Sequence, residues 1–119
     1  MQRSFKAWHF IVREQEDINR LTAFCINRRV KQYAYIKHKP DNDKGYVHYH
    51  FYFVLHRKLD AFKMEELTGV KCINSNYVLS SNKEMLRYLV RGSLSLKVVP
   101  PKDVLVTNIR INRKVVYGV

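Results

Sequence analysis

The chain has 119 residues and a mass of 14.2 kDa, which suits a single domain with one modest hydrophobic core. Apolar residues make up 46% of it, and it has only four Gly and three Pro, so its composition excludes disordered and fibrous proteins. Its 22 Lys and Arg outnumber 10 Asp and Glu, and the resulting net charge of +12 exceeds what solubility alone requires.

The first part of the chain predicts a strand, a helix and a second strand. Phe5 to Val12 is rich in aromatic and β-branched residues and predicts a buried strand. Asp17 is a candidate N-cap for a helix that ends in the basic pair Arg28-Arg29. The apolar stripe of this helix consists of Ile18, Leu21 and Cys25. Gln32 to His38 predicts a second strand, which the turn-forming run 40–45 ends.

The next part predicts two strands and two helices. Tyr46 to Leu55 has the strongest strand pattern in the chain. Asp60 can cap a short helix that Gly69 closes, and Cys72 to Leu79 predicts a fourth strand. The capping box Ser81 to Glu84 opens a third helix. The apolar side of the third helix consists of Met85, Leu86, Leu89 and Val90.

The resulting order β-α-β-β-α-β-α predicts an α+β fold: a ferredoxin-like (split βαβ) antiparallel sheet with helices. This core occupies residues 1–95 and leaves 96–119 as a C-terminal strand or arm. Val104 to Val119 is apolar and strand-forming, so we expect it to pair with a second copy of the chain in a homodimer. The alternative is a fifth strand of its own sheet.

The two cysteines do not indicate a metal site. Cys25 and Cys72 are too far apart in the sequence for a zinc knuckle, and no CxxC motif occurs. The helical stripe predicts a buried thiol at Cys25. A disulfide between the two stays open for a hyperthermophilic source.

A pair of histidines is the first candidate for chemistry. On a strand, His48 and His50 point to the same side, and five apolar residues point to the other. These are Val47, Tyr49, Phe51, Phe53 and Leu55. Pairing across the turn brings His38 and Asp41 beside them, with Asp43 as the alternative carboxylate. Such a set favours Mn²⁺ or Mg²⁺, although Zn²⁺ also fits, and the plain alternative is two histidines on a polar face.

The remaining two histidines, His9 and His56, are predicted to lie outside this cluster as structural or surface groups.

The motifs together resemble a known superfamily. His48-Tyr49-His50 is similar to the HUH motif (His, hydrophobic, His) of rolling-circle replication initiators, relaxases and related nickases. His38 with Asp41 resembles the metal-ligand pair that precedes it, and the helix residues Tyr88 and Arg91 resemble its third motif, with Arg where the common pattern has Lys. The compact size is most like that of the small Rep proteins of archaeal rod-shaped viruses (rudiviruses).

The resemblance implies a metal-dependent nickase that cuts and rejoins single-stranded or melted origin DNA to start replication. Tyr88 is the implied nucleophile, which becomes linked to a 5′-phosphate. Arg91 can steady a phosphate. Glu84 is a further ligand or a general base, with capping of its own helix as the structural alternative. Basic residues near the site are the expected DNA contacts, namely Arg87, Lys44 and Lys39.

A non-catalytic function is the rival interpretation. The segment Lys44 to Phe51 partly resembles the RNP1 strand of RNA-recognition domains, which bind single-stranded nucleic acid. The eight Tyr, six Phe and one Trp suit such binding, and a basic surface without any partner is the plainest alternative. Because no apolar run could cross a bilayer and the N-terminus lacks a signal-peptide core, we expect a soluble, cytoplasmic protein.

Overall fold

A computed structural model describes residues 3–38, 47–72, 75–91 and 105–111. These residues form an α+β fold of five strands and three helices. In chain order the elements are β1 (Phe5–Val12), α1 (Gln15–Phe24), β2 (Val30–His38), β3 (His48–Leu59), α2 (Ala61–Thr68), β4 (Ser75–Tyr77), α3 (Asn82–Arg91) and β5 (Val106–Thr107). None of the helices in these ranges is long and apolar enough to cross a membrane.

The five strands form one antiparallel sheet in the order β4-β1-β3-β2-β5. The third strand lies between the first and the second and is antiparallel to both, which is the split βαβ arrangement. The sheet is therefore compatible with the predicted ferredoxin-like fold. Its fifth strand extends the edge formed by β2.

Both faces of the sheet are packed. The first face buries Phe10, Phe51 and Phe53 against α1 and α2, and all three rings are fully buried. The second face buries Tyr52 against α3, together with Leu89 of that helix. Burying one large apolar side chain contributes about 2–3 kcal/mol, so this two-sided packing holds α3 firmly on the second face.

The signals at the ends of the later helices are confirmed. Asp60 caps α2 by accepting a hydrogen bond from the backbone N of Lys63 at 2.8 Å. Gly69 closes α2 with φ of 73°, a left-handed conformation in which a Cβ atom is strained. At the start of α3, the Ser81 hydroxyl accepts from the backbone N of Glu84 at 3.3 Å.

Two boundaries differ from the prediction. The predicted cap Asp17 lies inside α1, which begins at Gln15 after the extended residue Glu14 and ends at Phe24, before the basic pair. Because Glu14 makes no capping bond through its side chain, the sequence carries no cap signal there. The fourth strand pairs with β1 over only Ser75–Tyr77, since the chain then leaves the sheet to enter α3 and exposes Leu79.

The C-terminal segment folds back on its own sheet in the described part. Val106 and Thr107 pair with Tyr35 and Ala34 of β2, and the Thr107 hydroxyl donates to the carbonyl oxygen of Tyr33 at 2.6 Å. Ile109 is buried in the α3 core. Residues 105–111 thus follow the alternative considered above, a fifth strand of the same sheet.

Both cysteines are free thiols. Cys25 is buried, as predicted, and burial raises the pKa of its thiol to about 12. Its Sγ donates to the carbonyl oxygen of Leu21 at 3.5 Å, and the Sγ of Cys72 donates to that of Ala61 at 3.2 Å. The disulfide that the sequence left open is therefore not formed.

Candidate metal centre

Three histidines meet on the face of the sheet that α3 covers. His48 and His50 point the same way from β3, and His38, the last residue of β2, pairs directly with His48. The ring centroids of His38 and His50 lie 4.4 Å apart, and those of His48 and His50 lie 4.9 Å apart. One ring nitrogen from each histidine lies within 4.8 Å of the others, so the three are close enough to hold a metal ion.

A carbonyl of α3 sets which nitrogen His38 offers. Nε2 of His38 lies 2.6 Å from the backbone oxygen of Leu89. A carbonyl oxygen only accepts hydrogen bonds, so Nε2 carries the proton and Nδ1 keeps a lone pair. The helix therefore fixes the orientation of this imidazole and leaves its Nδ1 for a metal ion.

His50 lies at the centre of the cluster. Its Nε2 is 3.1 Å from Nε2 of His48, and its Nδ1 is 2.8 Å from Nε2 of His9. The rings of His9 and His50 are stacked, with centroids 5.0 Å apart. His50 thus has one nitrogen toward the histidine cluster and the other on His9.

Burial keeps these imidazoles neutral. Together with the smaller effect of neighbouring histidines, it lowers the pKa of His9 to about 4 and that of His50 to about 3. Burial also lowers the pKa of His38, against the opposing effect of its bond to Leu89. Since only a neutral imidazole can donate a lone pair to a metal, three of the rings are ready to coordinate or support coordination at neutral pH.

His9 was predicted to lie outside the cluster as a structural or surface group, and it is not one of the three clustered histidines, but its contact with the cluster at His50 was not predicted. Its side chain is buried, contacts His50 and lies edge-on to Tyr88 with ring centroids 5.7 Å apart. The signal was present in β1, where Trp8 and Phe10 alternate with His9 and pack on the opposite face. What the sequence lacked was the pairing of β1 with β3, which places His9 diagonally across from His50.

Tyr88 lies beside the cluster on α3. Its half-buried ring stands edge-on to His50, with centroids 5.9 Å apart and ring planes at 78°. It also lines a groove of about 460 Å³ between α3 and the segment around β4, which we call the α3 groove. Arg87 and Glu84 line the same groove, so the helix presents a phenol, a cation and a carboxylate side by side.

Glu84 does not belong to the cluster of potential metal ligands. Its backbone N and its carboxylate both contact the Ser81 hydroxyl, at 3.3 and 3.4 Å. The first is the serine half of a capping box and the second joins the two side chains, so Glu84 takes part in capping its own helix, the structural alternative given above. Within the described ranges, the potential metal cluster consists of three histidines alone.

Several predicted site residues lie outside the described residues. These are Asp41 with its alternative Asp43, Lys39 and Lys44. Arg91 is the last residue of α3, and its side chain lies outside the described part as well. His56 is exposed near the other end of β3, away from the cluster, as predicted.

Comparison with known proteins adds no family assignment. No protein-family model matches the chain, and no curated protein matches its sequence.

Proposed function

We propose that the chain is a metal-dependent single-strand DNA nickase and strand-joining enzyme of the HUH type that initiates replication. The observation that carries this proposal is the position of Tyr88, edge-on to His50 in a cluster of three histidines that could hold a metal ion. A tyrosine on a helix, taken by itself, would indicate only packing in the hydrophobic core. A phenol next to a candidate metal centre suits attack on a phosphodiester.

The donor set fits a divalent ion. We assign Nδ1 of His38 and an imidazole nitrogen each from His48 and His50 as ligands, completed by the carboxylate of Asp41. We propose Mn²⁺ or Mg²⁺ and expect Mn²⁺ to bind more tightly, because imidazole nitrogens suit Mn²⁺ better than Mg²⁺. The bound ion supplies charge stabilisation for the phosphate oxygens during the transfer.

The transfer itself exchanges one phosphate ester for another. The Tyr88 oxygen bonds to phosphorus and gives up its phenolic proton to solvent. The bond from phosphorus to the 3′ oxygen breaks, and that oxygen takes a proton to become a free 3′-OH. Arg87, which lines the same groove as Tyr88, is the cation that we propose to offset the negative charge of the phosphate during the attack.

The retained ester bond explains why one site both cuts and rejoins. The 5′-phosphotyrosine keeps the energy of the broken bond, so a 3′-OH can attack it in reverse and restore the strand. The free 3′-OH can also prime synthesis, which suits a replication initiator. Arg91, Lys39 and Lys44 are the further cations that we propose to hold the DNA phosphates near Tyr88.

The test is a search for the covalent adduct. Full-length protein is incubated with circular single-stranded DNA and Mn²⁺, denatured, and examined by mass spectrometry for a nucleotide on Tyr88. We expect an adduct with the wild type and none with Tyr88→Phe or in excess EDTA. Tyr77→Phe, which changes another tyrosine of the α3 groove, is the matched control and should retain the adduct.

Each other outcome has a definite meaning. Undiminished cutting in EDTA, or by a His48→Ala/His50→Ala variant, would contradict the metal centre. An adduct at wild-type level in Tyr88→Phe would remove Tyr88 as nucleophile. A mobility shift without cut product would favour the rival function, a non-catalytic module that binds single-stranded nucleic acid.

A further inference from the structure

A second pocket lies at the opposite end of β3 from the histidines. It has a volume of about 220 Å³ and is lined by Arg28, Arg29, His56, Arg57 and Leu59. The first two arginines come from the turn between α1 and β2, whereas the other three residues are on β3. We call it the arginine pocket.

Among the described residues, the three guanidinium groups of this pocket have no acidic partner. The ion pairs found in the described ranges are Arg20 with Glu16 and Lys63 with Glu66, and neither involves the pocket. The carboxylate next to the pocket in sequence, Asp60, caps α2 by accepting from the backbone N of Lys63. Three like charges are thus gathered with no carboxylate of the described ranges within 4.0 Å, an arrangement that favours an anionic ligand.

The backbone around the pocket is fixed before any ligand arrives. The side-chain oxygen of Asn27 accepts from the backbone N of Arg29 at 2.9 Å, and its carbonyl accepts from Val30 at 2.9 Å. The carbonyl of Arg29 accepts from the backbone N of His56 at 3.0 Å, which ties the turn to β3. Less ordering entropy is therefore lost when the arginines grip a ligand.

We propose that the arginine pocket binds a backbone phosphate of a nucleic-acid strand. Its volume lies below the range of about 300–1,000 Å³ typical of small-molecule sites, so a phosphate group fits it better than a whole nucleoside. Guanidinium groups match phosphate oxygens in a forked geometry. The net charge of +12 favours a polyanion such as nucleic acid over a single free anion.

The pocket and the histidine cluster share one strand, which sets the spacing between them. Seven residues of β3 separate His50 from Arg57, or at most about 23 Å at about 3.3 Å per residue. A stacked nucleic-acid strand advances about 3.4 Å per nucleotide, so roughly seven nucleotides span this distance. One continuous nucleic-acid strand can therefore reach both the arginine pocket and the histidine cluster. The pocket proposal rests on the proposed function only in that both require a nucleic-acid ligand.

The test is the salt dependence of binding. The affinity of full-length protein for a labelled 30-nucleotide single strand is measured by fluorescence anisotropy over a range of salt concentrations. Each lost phosphate contact lowers the slope of log K against log salt by about 0.7, so Arg28→Gln/Arg57→Gln should lower it by about 1.4. The control Lys71→Gln/Lys83→Gln removes the same charge from two exposed residues that do not line the pocket.

The outcomes separate this proposal from the nickase proposal. A slope that falls as much in the lysine control as in the arginine variant would overturn the pocket, because the effect would then be one of net charge. A slope that is unchanged in the arginine variant would also overturn the proposal that the arginine pocket binds a backbone phosphate. If the arginine variant lowers the slope but still forms the Tyr88 adduct at saturating DNA, both proposals stand. If no adduct forms with any variant but the slope falls, only the nickase fails.

Discussion

The histidine cluster can hold a metal ion only with its protons in one arrangement. His50 needs the lone pair of Nε2 for the metal, so its Nδ1 has to carry the proton and donate it to Nε2 of His9. His9 is then protonated on its Nδ1. At the other side, the Leu89 carbonyl fixes the proton of His38 on Nε2. His9, which is not one of the three clustered histidines, would thus select the form of His50 that is able to bind a metal ion.

We therefore expect His9→Phe to weaken Mn²⁺ binding by about 10–100-fold, because the Nδ1 proton of His50 loses its acceptor. His9→Gln should restore much of the affinity, since its side-chain oxygen can accept in place of Nε2. Isothermal titration of full-length protein with Mn²⁺ at pH 7.5, without DNA, measures both. Equal affinities in wild type and His9→Phe would show that His9 only fills space.

The same buried histidines predict a loss of stability in acid. In metal-free protein the pKa values of His9 and His50 lie at about 4 and about 3, below the ordinary value of 6.5 that the unfolded chain regains. Between pH 6.5 and 4 the unfolded state therefore binds more protons, so stability falls as pH falls. A difference of one bound proton between the two states changes the free energy of unfolding by about 1.4 kcal/mol per pH unit. Over this pH range we therefore expect a total loss of at least about 3 kcal/mol.

Urea unfolding in EDTA at pH 6.5, 5.5 and 4.5 measures this loss. His9→Gln removes one of the titrating groups and should make the dependence on pH shallower, whatever it does to stability at pH 6.5. A free energy of unfolding that stays constant over this range would contradict the buried, neutral state of these imidazoles.

At the residue scale, the local sequence pattern predicted those contacts of the histidines that lie within one strand or between two strands consecutive in sequence. The alternation of β3 was enough to put His48 and His50 on one side, and the turn predicted between His38 and His48 was enough to add His38. His9 was missed because its contact depends on a register between strands 41 residues apart at His9 and His50. The alternation within β1 predicts which face of the sheet His9 lies on, but it does not predict that His9 contacts His50.

At the scale of elements, α3 is held against the sheet at two points. Near its start, the Tyr52 hydroxyl donates to the side-chain oxygen of Asn82 at 2.5 Å, and the amide of Asn82 donates to Gln32 at 2.8 Å. Burial raises the pKa of Tyr52 to about 12, so the hydroxyl stays protonated and able to donate. Near its end, the Leu89 carbonyl binds His38. These contacts set the position of Tyr88 between them.

Tyr52→Phe should loosen the first of these points. We expect a loss of about 1–2 kcal/mol of stability, for one hydrogen bond, and an adduct rate about tenfold lower because Tyr88 is held less closely. Tyr49→Phe is the matched control, since Tyr49 lies on the other face of β3 and its hydroxyl has no hydrogen-bond partner among the described residues. Chemical denaturation and single-turnover adduct formation check the two effects. A Tyr52→Phe rate equal to that of Tyr49→Phe would contradict this role.

Elements were predictable where their ends carry side-chain signals. Asp60 and Gly69 mark α2 by capping and by left-handed geometry, and both act locally. The start of α1 has no such signal, because Glu14 makes no side-chain cap. The length of β4 depends on how far β1 is available to pair, which no local pattern records.

At the scale of the whole molecule, the proposed reaction is limited by its single candidate nucleophile per chain, Tyr88. In that proposed reaction Tyr88 would hold a 5′-phosphate after the first transfer, and α3 carries no second tyrosine for a further cut. Joining the held end to a free 3′-OH needs only one site, whereas cutting a second strand while Tyr88 is occupied needs a second nucleophile. A second chain supplies this second nucleophile. Having one candidate nucleophile per chain therefore still favours the predicted homodimer, even though the described tail pairs within its own sheet.

We therefore expect full-length protein to be a dimer at micromolar concentration in sedimentation equilibrium. Mixing wild type with an excess of Tyr88→Phe, after subunit exchange, places most wild-type chains beside a partner that cannot accept a strand. Nicking should then persist, while transfer of the cut end to an acceptor strand that has first to be cut should fall by about tenfold or more, in proportion to the excess. A monomer at these concentrations defeats the dimer outright. A dimer whose strand transfer is unaffected by the inactive subunit would mean that each Tyr88 works alone.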